Sequence, residues 1–145
     1  MAILSYRDLD AWKVGMDAVV LTYEVTAHLP DRERYGLCSQ MQRAAVSVPS
    51  NIAEGHGRKL EGGILGRSTL YFLRVALGSL AELDTQLEAA VRLKFVTGDH
   101  TRELADTIVR VRQIVWGMRR RERQVLAAKA VSVCVAALAL YSLCV

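Results

Sequence analysis

Arg43-Ala44-Ala45-Val46-Ser47-Val48-Pro49-Ser50-Asn51-Ile52-Ala53-Glu54-Gly55 is the stretch on which the fold turns. It reads as helical, with a proline inside and polar groups set among small apolar residues. A proline in a helix interior removes one backbone donor and crowds the preceding turn, at roughly 3 kcal/mol. Neighbouring groups must offset that, and Ser47, Ser50 and Asn51 can hydrogen-bond freed backbone groups locally. The expected structure is a kinked helix packed against a fixed neighbour, not a catalytic loop.

Working outward, four amphipathic segments emerge. A first helix is expected from about Asp8 to His28, with Leu9, Trp12, Met16, Val19, Tyr23 and Thr26 at the seam spacing of a bundle. Pro30 stops it, because the residue before a proline avoids helical geometry, and Asp31 is placed to cap the next helix. The second helix is expected over roughly Arg32 to Gly55, with Leu37, Met41, Ala44 or Ala45, Val48 and Ile52 inward. Gly55 and Gly57 would then end it through left-handed backbone. Glycines at 62, 63 and 66 weaken the start of the third helix, expected over about Leu65 to Phe95. Its register is Leu73, Ala76, Leu80, Leu83, Leu87 and Ala90. Thr97-Gly98-Asp99 breaks the chain, with Asp99 or Thr101 as cap. The fourth helix follows with Leu104, Ile108, Val111, Val115 and Met118. Short links between four such helices imply an all-α, antiparallel up-down-up-down four-helix bundle with a kinked second helix.

The stretch Arg43 to Gly55, with Tyr35-Gly36-Leu37 and Ser39-Gln40 before it, resembles the bacterial four-helix-bundle family named after 23S rRNA intervening sequences. Asp8-Leu9 with Ala11-Trp12, and Ala76-Leu77-Gly78-Ser79-Leu80-Ala81-Glu82-Leu83, match it too. The resemblance covers roughly residues 5 to 120, and Arg43, Pro49, Asn51, Glu54 and Gly55 carry its structural motif. It implies ring-shaped homopentamers with a basic surface, encoded within ribosomal RNA insertions. Related bundle proteins serve diversity-generating retroelements, where a basic pentamer binds the reverse transcriptase and its template RNA.

Composition narrows the class. A chain of 145 residues is one domain by size, expected as a bundle over 1–124 and an apolar C-terminal extension over 125–145. Cys38, Cys134 and Cys144 are odd in number and lack any CxxC pattern, so no disulfide framework or zinc site is indicated, and a reducing cytoplasm fits. The first ten residues do not read as a secretory signal. Net charge is +4, and residues 99–145 hold all of the excess, with 8 Lys+Arg against 4 Asp+Glu. Most of it lies in Arg110, Arg112, Arg119, Arg120, Arg121 and Arg123, a cluster suited to nucleic acid or an acidic membrane surface. Equally, arginines at a helix end complement its macrodipole.

Beyond Lys129 the tail is nearly all apolar or small, near the lower limit of a membrane-spanning length. Three readings stand: packing against other subunits, a membrane anchor, or an atypical extension. No catalytic constellation is found, and no metal or cofactor is expected. The three histidines lie in no ligand spacing, and HExxH, Walker and GxSxG motifs are absent. Gly55-His56-Gly57-Arg58-Lys59 could cradle a phosphate, or simply end a helix. Asn51 and Glu54 read as polar satisfaction of the kink and of a neighbouring helix terminus.

Surplus apolar surface points to association. Tyr71 and Trp116 lie beside the main stripes, and Val14, Ala18, Leu21, Leu70 and Leu77 form second faces. Tyr71, Leu77 and Trp116 are therefore expected at a homo-oligomer interface. The function expected is a non-enzymatic, oligomeric scaffold that associates with RNA through its basic surface. The alternatives are an accessory subunit binding a reverse transcriptase, and a membrane-tethered helical oligomer.

Overall fold

Residues 5–60 and 67–143 are described by the computed structural model, with the side chains of 59, 60, 67 and 136–143 excepted. Among them are four α-helices and no strand: α1 (Asp10–Thr26), α2 (Leu37–Leu60), α3 (Arg67–Arg92) and α4 (Gly98–Leu143). Short 3-10 turns at Tyr6–Asp8 and Asp31–Glu33 precede α1 and α2. Helix α1 packs on α2 and α4, and α3 packs on the same two, so four helices enclose one core. The glycines expected to weaken the start of the third helix, at 62, 63 and 66, lie outside the described residues.

Pro49 is buried inside α2, which continues through it. Its polar neighbours bond within the helix at the carbonyls of Val46 and Ser47, one and two residues past Ala45 O, the carbonyl whose helical donor the proline removes. Ser50 Oγ donates to Val46 O at 2.8 Å, and Asn51 Nδ2 donates to Ser47 O at 2.7 Å and to Ser47 Oγ at 3.0 Å. Ser79 Oγ on α3 then donates to Ser47 Oγ at 2.8 Å. The turn before the proline is thereby tied to the neighbouring helix by a connected polar network, which a largely apolar interface tolerates because its members are satisfied.

The limits of α2 differ from expectation at both ends. It begins at Leu37, and its first turn is served by Glu33, whose Oε2 accepts from Leu37 N at 3.2 Å; Asp31 instead opens a 3-10 turn. At the other end α2 runs through Gly55 and Gly57 to Leu60. Gly55 is buried for a different reason: α3 lies against it. Thr69 Oγ1 donates to Gly55 O at 3.0 Å, and a methyl group on Gly55 would stand 3.2 Å from Phe72 Cβ. Close approach, not left-handed backbone, requires this glycine. Helical geometry also uses the backbone donors of residues 55–59 within α2, so the phosphate-cradle alternative has no loop to act from.

Helix α1 presents a face rotated from the one expected: of the expected stripe Thr26 is buried and Leu9 packs half-buried against the core. Ala11, Val14, Gly15, Ala18, Thr22 and Val25 are buried, while Met16 and Tyr23 are exposed and Trp12 and Val19 only half-buried. Gly15 lies against α2, where a methyl would sit in ordinary van der Waals contact, 3.6 Å from Pro49 Cβ and 3.7 Å from Val48 Cγ1. Small residues let the backbone of α1 settle onto α2, which larger side chains would hold off. Thr22 is satisfied within the helix, its Oγ1 donating to Ala18 O at 2.7 Å. The bulky stripe is left outside, with Val20 54% and Tyr23 50% exposed.

The expected registers of α3 and α4 are the buried ones. Leu73, Ala76, Leu80, Leu83, Leu87 and Ala90 meet Leu104, Ile108, Val111 and Val115 in the core, and Met118 packs half-buried at its edge. The connection between these helices turns earlier than the glycine suggests. Lys94 takes a left-handed φ of 58°, and Phe95 N donates back to Ala90 O at 3.0 Å. Asp99 and Thr101 lie inside the first turn of α4, with Thr101 Oγ1 donating to Gly98 O at 3.1 Å.

Helix α4 has 46 residues, a rod of about 69 Å at 1.5 Å per residue. Its buried apolar positions stop at Val115, and Glu122 is the last buried residue among those described. Val131, Val133 and Val135 are each more than half exposed. Among the described residues no helix is long and apolar enough to cross a membrane.

One substitution made at two glycines separates packing from propensity. Gly78 is exposed in α3 and a methyl there meets nothing within 4 Å, so Gly78→Ala should stabilise by up to about 1 kcal/mol. Gly55→Ala gains the same propensity but forces α3 outward at a cost of about 1–3 kcal/mol, and should come out destabilising. Urea denaturation of the two variants measures the difference in sign.

Candidate nucleic-acid interface

The six arginines expected to bind nucleic acid all lie on α4 but do not share a surface. At 100° per residue, Trp116, Arg119, Arg120 and Arg123 fall on one flank of the helix, at steps of three and four. Together with Gly117 and Gln124 they line an open groove of about 630 Å³. Trp116 is 51% exposed, and the Arg119 guanidinium sits 5.1 Å from its ring centroid. That arrangement is a cation–π contact, and it holds a planar cation and a planar ring side by side at the surface.

Each of the other three arginines has a different setting. Arg112 turns to α3, where its Nη2 lies 2.7 Å from Asp84 Oδ2, with the side chains 33% and 48% exposed. Arg110 borders a shallow surface shared with Asp99, Glu103 and Asp106, whose carboxylates offset its charge. Arg121 is exposed but lies about 140° around the helix from Trp116, off its flank. Glu122, the acidic residue inside the cluster, is buried and so does not lie on the groove. A run of residues that looks uniformly cationic thus resolves into one basic stripe, one inter-helix ion pair and one charge-balanced patch.

The residues expected at an oligomer interface are likewise divided. Trp116 belongs to the arginine stripe, and Leu77 is partly buried against the core. Tyr71 is exposed on α3, edge-on to Phe72 with ring centroids 5.3 Å apart and beside Arg74. A more continuous apolar face is the one α1 leaves outside, formed by Met16, Val20 and Tyr23 with Trp12 and Val19 at its margin.

Within the structural motif, Pro49, Asn51 and Gly55 serve the seam between α2 and its neighbours. Arg43 is exposed and donates to Ser39 Oγ. Glu54 takes no part in the proline turn; its Oε1 lies 2.8 Å from Arg58 Nε on the same helix, both side chains about half exposed. His28 and His100 stack with ring centroids 4.9 Å apart where the end of α1 meets the start of α4. Among the described residues, no group of three or more His, Cys, Asp or Glu side chains is placed to hold a metal ion. Helical spacing of residues 116, 119, 120 and 123 is the sequence signal that would have singled out the stripe, with Gly117 and Gln124 as its unpredicted members.

Four helices around one apolar core, with a proline-containing second helix, define a helical bundle. The chain belongs to the 23S rRNA-intervening sequence protein family, whose pattern it matches over residues 7–117. Among solved structures, a protein with unknown function from the S23 ribosomal protein family of Bacteroides thetaiotaomicron VPI-5482 is similar to it. The TM-score is 0.65 at 15% identity, over 76% of this chain and 95% of that one. At that identity the likeness concerns the fold. No curated protein matches the chain.

The division of the arginines has an energetic counterpart. Arg112→Ala and Asp84→Ala should show a coupling of about 0.2–1 kcal/mol in a double-mutant cycle. Arg120→Ala and Arg123→Ala should each leave stability within about 0.5 kcal/mol of the parent. Thermal or urea unfolding of the parent and the five variants, the double variant included, gives both numbers.

Proposed function

We propose that the protein is a non-enzymatic, self-associating bundle that binds RNA in the cytoplasm through the Trp116–Arg123 stripe of α4. The observation that carries this reading is the convergence of Arg119, Arg120 and Arg123 on one exposed groove, with no carboxylate among the described residues that line it. Cations so placed attract phosphates without reading sequence, and the resulting affinity falls with salt as counterions are released. Membership of a family named for insertions in ribosomal RNA supports RNA as the polyanion.

The bundle in this reading is antiparallel and up-down-up-down, with α2 bent at Pro49. Residue pairings support it: Thr26 with Gln42 and Gly15 with Pro49 between α1 and α2, then Ser47 with Ser79 and Gly55 with Thr69 between α2 and α3. Self-association follows from the outer face of α1. A single bundle has no use for an exposed row of Met16, Val20 and Tyr23, and such patches mark sites of contact.

Two measurements test the reading. Arg119→Ala, Arg120→Ala and Arg123→Ala combined should reduce RNA retention in a filter assay and lower the salt slope by about 2, three single-strand phosphate contacts' worth; Arg110→Ala with Arg121→Ala should have a smaller effect. Unchanged retention by the triple variant would remove the stripe from the account. Separately, sedimentation at micromolar concentration should find the parent chain associated and Val20→Glu with Tyr23→Glu dissociated; a parent chain that sediments as a solitary protomer contradicts self-association.

A further inference from the structure

The groove holds more than charge, and its extra parts narrow the ligand. Trp116 is half exposed at the centre of the stripe although Arg119 already lies beside its ring. A large indole left at the surface has stacking area to spare. Next to it stands Gly117, a glycine inside a helix, where a methyl would meet nothing within 4 Å. Alanine would strengthen the helix at this position, and no contact within the chain requires its absence. What glycine provides there is bare backbone beside the indole, room for a flat group to approach. Arg120 and Arg123 border the same groove, and from Trp116 to Arg123 the helix rises about 10 Å, a span that a few nucleotides cover.

We propose that the groove takes single-stranded RNA: Trp116 stacks on an unpaired base, while Arg120 and Arg123 hold neighbouring phosphates. This rests on the RNA-binding reading above and adds the state of the strand. A duplex offers the stripe its phosphates but keeps the faces of its bases stacked on one another, so the indole gains nothing from it. An unpaired base presents a free π face, and aromatic side chains between cations are the recurrent means of holding one without sequence preference. The guanidinium of Arg119 supports the indole as a stacking platform from its own side.

The test uses the full chain carrying Trp12→Phe, so that Trp116 is the sole tryptophan reporter. Its probes are an oligouridylate and an RNA duplex with the same number of phosphates, compared at one salt concentration. The oligouridylate should quench Trp116 fluorescence and bind on the order of tenfold or more tightly than the duplex. Trp116→Ala should weaken oligouridylate binding by about five- to a hundredfold, the worth of one base–aromatic stack, and leave duplex binding unchanged; Trp116→Phe should restore most of the loss. Circular dichroism melting establishes that the variants fold. Equal affinity for both probes, with no quenching and no effect of Trp116→Ala, overturns the single-strand assignment, and the arginine triple variant then shows whether phosphate binding survives it. Binding of neither probe by the parent chain overturns both.

Discussion

Close approach between helix backbones is the constraint from which the rest of this structure follows. Gly15 lies against Pro49, Gly55 lies under Phe72 and Thr69, and the core between them is lined by Ala11, Ala18, Ala44, Ala45 and Ala76. Where side chains are this small, helices sit near one another and dispersion contacts accumulate along their length. The proline in α2 sits in the same setting, where Asn51 bonds Ser47 within the turn and Ser79 reaches across from α3. The polar network and the small residues act together: one fixes the register of α2 on α3, the other its depth.

The same constraint sets what remains outside. With Ala11, Val14, Ala18 and Val25 of α1 turned inward, Met16, Val20 and Tyr23 face solvent and the molecule acquires an apolar surface. Helix α4 behaves differently. Its apolar seam ends with the bundle at Val115, yet the helix continues, carrying arginines past the last layer of the core. Arg112, lower on the helix, is instead drawn into an ion pair with Asp84. Position along α4 and angle around it together separate structural arginines from those that face outward.

Much of this was readable from residue order. The four helices and the inward faces of α3 and α4 follow from spacing and side-chain chemistry, because in each of those two helices the longest regular apolar stripe is also the one that packs. Helix α1 has two apolar stripes, and spacing alone favours the bulkier. Its error has a physical source: hydrophobicity scales reward large side chains, whereas the packing here rewards the absence of them. The end of α2 was misjudged for a related reason. Glycine after a helical run usually signals a left-handed stop, but Gly55 is held in the helix by α3, whose contact cannot be seen from the run itself.

For the candidate site, the presence of a basic region near residues 110–123 is a property of the chain alone, since charge counts need no coordinates. So is the helical angle that sets Arg121 apart from Arg119, Arg120 and Arg123. Which arginine finds a carboxylate depended on α3 bringing Asp84 to Arg112 across a separation of 28 residues. Local order thus determined helices, their boundaries within a few residues, and the sign of the charge. Tertiary packing decided which face of α1 is core, which glycines mark contacts, and which cations face outward. Those choices compare faces on different helices, and their relative distances exist only once the helices are assembled.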